Sequence, residues 1–233
     1  MSGQQELTAP AAAISFGRDG SEAPLSRLLA REHRLALSVD GAPFALFVCT
    51  RARLQELTLG RLCTAGRIAL ASDVLSLRFS EDEGQAEACL RPGGGSMAAP
   101  ALTDRSTWRS EDIFRLAAHL QDAMPLHDAT SGTHGAALLH RGDVLCCCED
   151  IGRHNAIDKA VGAALIRGVP LEECILYTTG RIAVDIVRKT AAARVPVLVS
   201  RALPTAEALA LAKSLRLTLI GRAREAQYEL FTP

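Results

Sequence analysis

Cys148-Glu149-Asp150-Ile151-Gly152-Arg153-His154-Asn155-Ala156-Ile157-Asp158-Lys159 is the stretch on which the fold turns. An apolar run, residues 144–148, leads into it. Gly152 breaks the run, and a helical pattern over Arg153–Ile166 leaves it. Strand, tight turn and helix follow one another without a spacer. The same rhythm continues downstream: strands over Cys174–Thr178, 195–200 and 217–220 alternate with helices over 181–193 and 205–215. Such alternation predicts an α/β fold with a three-layer core and a mixed sheet. Just upstream, residues 133–139 and 144–148 flank a turn at 140–143 and read as a hairpin. Before them, Ser110 begins a helix with Glu111 and Asp112 in its first turn and Ile113, Leu116, Ala117 and Leu120 as its apolar stripe.

The N-terminal half has another pattern. Residues 34–39 and 43–49 surround Asp40-Gly41, a strong hairpin signal. A helix over 51–64 and a strand pair, Val74–Phe79 and 86–90, complete a smaller α+β part. Residues 91–100 hold Gly93-Gly94-Gly95-Ser96 and two prolines, which predicts a loop. Residues 1–30 are rich in Ala, Ser, Gly and Pro without a clear period, and are expected to form a loose arm. The expected division is therefore 1–30 arm, 31–108 smaller part and 109–233 core, with the boundary near 92–109.

Composition narrows the function. The 233 residues carry 26 basic and 26 acidic side chains, a net charge of zero. That argues against nucleic acid held by bulk charge, and 4 % aromatics argue against a stacking platform for single strands. No run approaches the ~18 apolar residues of a membrane span, and no basic-then-apolar leader opens the chain. Seven cysteines, an odd number with no C-x-x-C, predict free thiols in a reducing cytoplasm.

Two junctions gather the polar chemistry. At the first, Gly152 and Arg153 stand at a helix start, where unpaired backbone N–H groups and a planar guanidinium suit an anion. His154 and Asp158 share one helix face; Asn155 and Lys159 share another. At the second, Tyr177-Thr178-Thr179-Gly180-Arg181 repeats the pattern, with Asp185, Arg188 and Lys189 behind it. Ligands of open α/β sheets bind beyond the carboxyl ends of strands. Two glycine–arginine elbows there predict one cleft with two anion-binding corners, suited to a phosphate-bearing ligand such as a nucleotide. Neither a Walker loop nor G-x-G-x-x-G is present. A capped helix with a surface ion-pair lattice is the plainer alternative. Along a strand, Cys146 and Cys148 point one way and Cys147 the other, so the three do not share a metal; buried packing is their plainer role. His134, in Thr130-Ser131-Gly132-Thr133-His134, falls near the first turn.

At these residues the sequence resembles the FdhD/NarQ family, the formate dehydrogenase accessory proteins. Glu149–Lys159 is similar to that family's E-D-V-G-R-H-N-A-x-D-K signature, and Thr179-Gly180-Arg181-Ile182 with Val187-Arg188-Lys189 to its S-G-R-I block. Residues 195–205, 217–221 and 131–137 also resemble family segments, and the similarity extends over about residues 30–231. The resemblance implies a cytidine-deaminase-like α/β/α core, a homodimer and a role in maturing the molybdenum cofactor. In such a role sulfur from a cysteine desulfurase passes as a persulfide to the molybdenum of bis(molybdopterin guanine dinucleotide), for formate dehydrogenase. Carried onto this chain, Gly152, Arg153, His154, Asp158, Lys159, Gly180 and Arg181 would bind that cofactor, as would Arg222, Ala223, Arg224, Glu225, Ala226 and Gln227. Two departures stand out. The family's C-x-x-C loop corresponds here to residues 89–100, which lack the pair, so the candidate thiols are Cys89, just upstream, and Cys148. A Gly-rich basic stretch of the family is replaced at 222–227, where Glu225 and Ala226 stand for glycines. The alternatives are a non-catalytic module binding the cofactor or a guanine nucleotide, and a homologue with a changed phosphate ligand. No zinc-holding H-x-E with P-C-x-x-C exists, so no intrinsic metal is expected.

Overall fold

The computed structural model of the chain describes residues 6–93 and 108–232. It opens with a regular hairpin, β1 (Thr8–Phe16) and β2 (Glu22–Ala30), paired in register along its whole length. This corrects the expectation of a loose arm over 1–30. The reason is physical: both faces of the ribbon are largely exposed, so no side chain alternation marks it. Asp19 folds the turn by accepting the Ser21 N–H, and Gly20 takes a left-handed φ of 83° there.

β3 (His33–Val39), β4 (Ala42–Cys49), β5 (Val74–Phe79) and β6 (Gln85–Leu90) form a four-stranded sheet in the order β4-β3-β6-β5. One face, with Leu35, Leu37, Val39 and Phe47, packs on α1 (Leu54–Thr64). The boundary segment near 92–109 falls mostly outside the described residues.

The larger part begins with α2 (Ser110–Asp122) and a short α3 (Pro125–Thr130), which the sequence did not predict. β7 (His134–His140), β8 (Asp143–Asp150), α4 (Arg153–Ile166), β9 (Cys174–Thr178), α5 (Val184–Ala192), β10 (Val197–Ser200), α6 (Ala206–Leu215), β11 (Thr218–Gly221) and β12 (Glu229–Thr232) follow. Six of these strands make a mixed sheet, β12-β11-β10-β9-β7-β8. The α/β class and the alternation stand as expected. Helix α5 starts three residues later than predicted, because Arg181–Ala183 stay extended and Ile182 bridges Pro204. Among the described residues no helix is long and apolar enough to cross a membrane.

Strand alternation splits the core. Ala137, Leu139, Ile175, Tyr177, Val197 and Val199 face α2, meeting Ile113, Leu116 and Leu120. Ala136, Leu138, Cys146, Cys148, Leu176 and Leu198 face α4–α6, in a cluster continuous with α1 and the four-stranded sheet. Cys146 and Cys148 lie on that side and Cys147 on the other, as alternation requires. Helices α1 and α4 cross at van der Waals closeness: a Cβ on Gly60 would lie 1.7 Å from the Asp158 carbonyl, and one on Gly162 1.9 Å from that of Glu56.

Candidate functional site

β7 runs antiparallel to both β8 and β9, so β8 and β9 run the same way; β10 and β11 are parallel to β9. One edge of the sheet therefore collects the carboxyl ends of four strands and the start of β7. A small residue directly before an arginine marks each of those four ends: Gly152-Arg153 and Gly180-Arg181 just past β8 and β9, Ser200-Arg201 and Gly221-Arg222 at the last residues of β10 and β11. The first two elbows touch. A Cβ on Gly180 would lie 2.9 Å from Cβ and Cδ of Arg153, so only glycine lets that guanidinium arm pass. The next pair is tied through Ser200, whose hydroxyl donates to the Gly180 carbonyl at 2.7 Å and accepts the Ala202 N–H at 2.9 Å.

The four arginines differ in what they have left to offer. Arg222 pairs with Glu229 at 3.2 Å. Arg153 is half-buried, and its Nε is enclosed without a hydrogen-bond partner. Arg181 is exposed, and Arg201 lines a cavity of about 800 Å³ on the α2–α3 side of the sheet edge. Its walls are His127, Thr133, His134, Tyr177 and Thr179, closed by Ala223–Ala226. The open cleft expected at the elbows thus lies one step along the edge: Gly152, Arg153, Gly180 and Arg181 border the elbows but do not line the cavity.

The cavity walls are fixed from behind. Glu149 accepts the Leu126 and His127 N–H groups at 3.0 and 2.7 Å and the Thr133 hydroxyl at 3.0 Å, which anchors the first turn of α3. His127 Nδ1 donates to the Thr133 carbonyl at 2.8 Å, which leaves Nε2 as the ring's second polar atom. His134 Nδ1 lies 3.5 Å from the Thr179 hydroxyl. Burial lowers the proton affinity of His134, and the charges of Arg153 and His127 lower it further. Both effects favour the neutral ring. Tyr177 donates to the Ala223 carbonyl at 2.7 Å and pins the closing loop; burial pushes its phenol up to about 12.

Several residues expected at the ligand have partners within the protein. Asp158 and Lys159, expected at the cofactor, are buried and face interior partners. Lys159 Nζ meets Asp150 Oδ2 and Thr50 Oγ1, both at 2.6 Å, and Asp158 accepts from Lys189 Nζ at 2.5 Å and from the Thr64 hydroxyl at 2.7 Å. The plainer alternative places an ion-pair lattice on the surface; the ion pairs of Asp150–Lys159 and Asp158–Lys189 lie in the interior. Asp150 is a hub there, accepting from the Thr50 and Gly152 N–H groups and from Asn155 Nδ2. His154 is spent on Asp185 at 3.0 Å. Along 222–227, Ala223 is buried and gives its carbonyl to Tyr177, while Arg224, Glu225 and Ala226 form the exposed cavity rim and Gln227 closes their turn by accepting the Arg224 N–H.

The thiols lie elsewhere. All seven cysteines fall among the described residues, and none lines the cavity. Cys148 is 1 % exposed, and its hydrogen bond with Cys146, together with burial, pushes its thiol up, which disfavours the thiolate. Burial holds Cys49, Cys63, Cys147 and Cys174 up at about 12. Cys89 is half-buried in β6. Because Ala86 and Ala88 face the core, Cys89 faces the opposite side of the four-stranded sheet. Sequence reasoning missed His127 and Arg201. Arg201 had a signal, the same small-residue–arginine step after a strand; His127 had none, since its place depends on α3.

The sequence profile described as the FdhD/NarQ family matches residues 89–233. "Sulfur carrier protein FdhD" of Halalkalibacterium halodurans is 32 % identical over 88 % of this chain and 86 % of its own length. The protein of the same name from Geobacillus kaustophilus is 31 % identical over 88 % of each. A crystal structure of a candidate formate dehydrogenase accessory protein from Desulfotalea psychrophila superposes with a TM-score of 0.85 at 25 % identity, covering 97 % of both chains. By profile, by identity along most of its length and by architecture, the chain belongs to the FdhD/NarQ family.

Proposed function

We propose that this protein is a formate dehydrogenase accessory protein that holds bis(molybdopterin guanine dinucleotide) as its substrate, through the phosphates, at the strand-end arginines. The single observation that carries the reading is the gathering of Arg153, Arg181 and Arg201 on one sheet edge, beside a cavity of about 800 Å³. That volume is within the roughly 300–1,000 Å³ of small-molecule sites. The enclosed, unpartnered Nε of Arg153 fits an anionic ligand, since a buried donor without an acceptor is costly. Glu225 on the rim works against phosphate and favours a ligand seated toward Arg201 rather than the loop. Calorimetry with GDP tests this. Arg201→Ala and Arg153→Ala are each expected to weaken binding roughly 10–100-fold, the worth of a charged hydrogen bond. Equal heats for wild type and both variants would overturn the reading.

Sulfur carriage from a cysteine desulfurase to the molybdenum is the second reading. The names of the relatives favour it, and so does Cys89, four positions before the first glycine of the Gly-rich segment. A cytoplasmic setting belongs to both readings. Mass spectrometry after incubation with a cysteine desulfurase and cysteine is expected to show added sulfur that Cys89→Ser abolishes. A wild-type protein without added sulfur leaves cofactor binding as the whole function.

A further inference from the structure

Two histidines share the cavity at the sheet edge, and each is fixed at one ring nitrogen. His127 stands on α3, where Nδ1 donates to the Thr133 carbonyl at 2.8 Å. A carbonyl only accepts, so the hydrogen is held on Nδ1 and the neutral ring carries a lone pair at Nε2. His134 opens β7. The Thr179 hydroxyl oxygen accepts the Gly135 N–H at 3.0 Å, which leaves its own hydrogen for His134 Nδ1, 3.5 Å away, and puts the ring hydrogen of His134 on Nε2. Among the described residues none hydrogen-bonds Nε2 of either ring. The two neutral rings therefore offer opposite polarity: His134 a donor, His127 an acceptor. A phosphate oxygen is satisfied by the first and repelled by the second.

The fixed charges around the two rings balance. Arg201 and Arg224 line the cavity, and so do Asp128 and Glu225. Behind the wall Glu149 accepts the His127 N–H at 2.7 Å, and Arg153 acts on His134. Tyr177, the remaining titratable wall group, spends its hydroxyl on the Ala223 carbonyl. Beside α3, Asp122 at the end of α2, Glu22 and Arg27 of β2, and Arg31 after it are exposed to solvent. A pyrophosphate adds its negative charge to a set that has no cation to spare. Resting on the reading that the cavity receives the pyrophosphate of the guanine dinucleotide cofactor, we propose that the ligand is bound together with one proton, which His127 takes from solvent at Nε2 and donates, as a charged hydrogen bond, to a phosphate oxygen. No covalent bond of the ligand changes. Protonation turns the one repelling group into a charged donor, the stronger kind of hydrogen bond. The Glu149 carboxylate at the His127 backbone favours the added charge. His134 does not compete for the proton: burial, and then Arg153 and His127, favour its neutral form, which already donates from Nε2. A ligand that favours the charged ring binds more tightly as the pH falls.

Calorimetry of the full chain with GDP-mannose tests this, because a pyrophosphate diester carries no proton that titrates near neutrality. Titrations at about pH 6 and about pH 8 span the range in which imidazoles change charge, and two buffers of different ionisation enthalpy at each pH read proton uptake apart from affinity. The wild type is expected to bind about tenfold more tightly at the lower pH and to take up a proton as it binds. His127→Asn keeps a donor for the Thr133 carbonyl and removes Nε2, so it is expected to flatten the pH dependence and abolish the uptake. His134→Gln keeps a donor near Nε2 and is expected to retain both. NMR titration of the imidazole C–H signals of the wild type, with and without the diester, locates the proton even where a variant fails to fold: the His127 signal is expected to titrate at higher pH when the ligand is bound. Binding without proton uptake overturns this inference and leaves the cofactor reading standing. Uptake that survives His127→Asn, or that follows the His134 signal, overturns it too. A diester that fails to bind at either pH overturns it as well, and with GDP equally silent the cofactor reading falls with it.

Discussion

Lys159 pairs with Asp150 with no solvent contact at all. Such burial costs several kcal/mol per ion, and the site repays it with density: Asp150 and the Thr50 hydroxyl at 2.6 Å, and the Thr50 and Glu149 carbonyls at 3.3 and 3.4 Å. Asp150 is equally enclosed and serves four further donors. Removing one member strands the other. Lys159→Ala is expected to destabilise the fold by about 3–5 kcal/mol, read as a lower urea midpoint at unchanged slope; Asp150→Asn in the same background should recover part of the loss. A surface role for Lys159 would leave the midpoint unmoved. The sequence could not show this depth. Asp158 and Lys159 read as ligand groups because they stand in a polar motif, but the groups that bury them arrive from Thr50 and Thr64, about a hundred positions away. Arg153, by contrast, was legible: glycine before arginine at a strand end needs no long-range partner to be understood.

At the scale of elements, local pattern carried far. The β–α alternation after β8 was readable because β9, β10 and β11 are buried on both faces and the turns are punctuated. The elements it missed draw their order from neighbours. β12 exists through pairing with β11, α3 through the Glu149 carboxylate at its first turn, and β1–β2 has no buried face to leave a period. His127 was lost with α3, and with it one wall of the candidate cavity. The α1–α4 crossing gives a sharp test of packing. Glycine inside a helix ordinarily costs about 1 kcal/mol against alanine, so Gly162→Ala in a free helix would stabilise. Here the added methyl would stand 1.9 Å from the Glu56 carbonyl, a backbone atom that cannot swing aside. Gly162→Ala is therefore expected to destabilise by about 1–3 kcal/mol, seen as a lowered melting temperature. A raised melting temperature would mean the helices do not cross there.

The whole molecule is joined where its two sheets were expected to part. The cluster beneath α4 runs without interruption into α1 and the inner face of the four-stranded sheet. The crossing at Gly60 and Gly162 locks the helices, and Thr50, at the end of β4, closes the cage around Asp150 and Lys159. Separating the parts would open the apolar layer and expose a buried ion pair to an uncovered surface in one step. Unfolding of one part thus removes the stability of the other, and a single transition is expected. Two probes distinguish this from independent domains. Trp108, the chain's one tryptophan, stacks edge-on to Tyr228 at 6.0 Å and reports the far side of the six-stranded sheet. Hydrogen exchange at β3 and β6 amides reports the other sheet. In urea the two are expected to share one midpoint, and Lys159→Ala should shift both together. Separate midpoints would show that the shared cluster does not couple the sheets, and would detach the strand-end site from the sheet that carries Cys89.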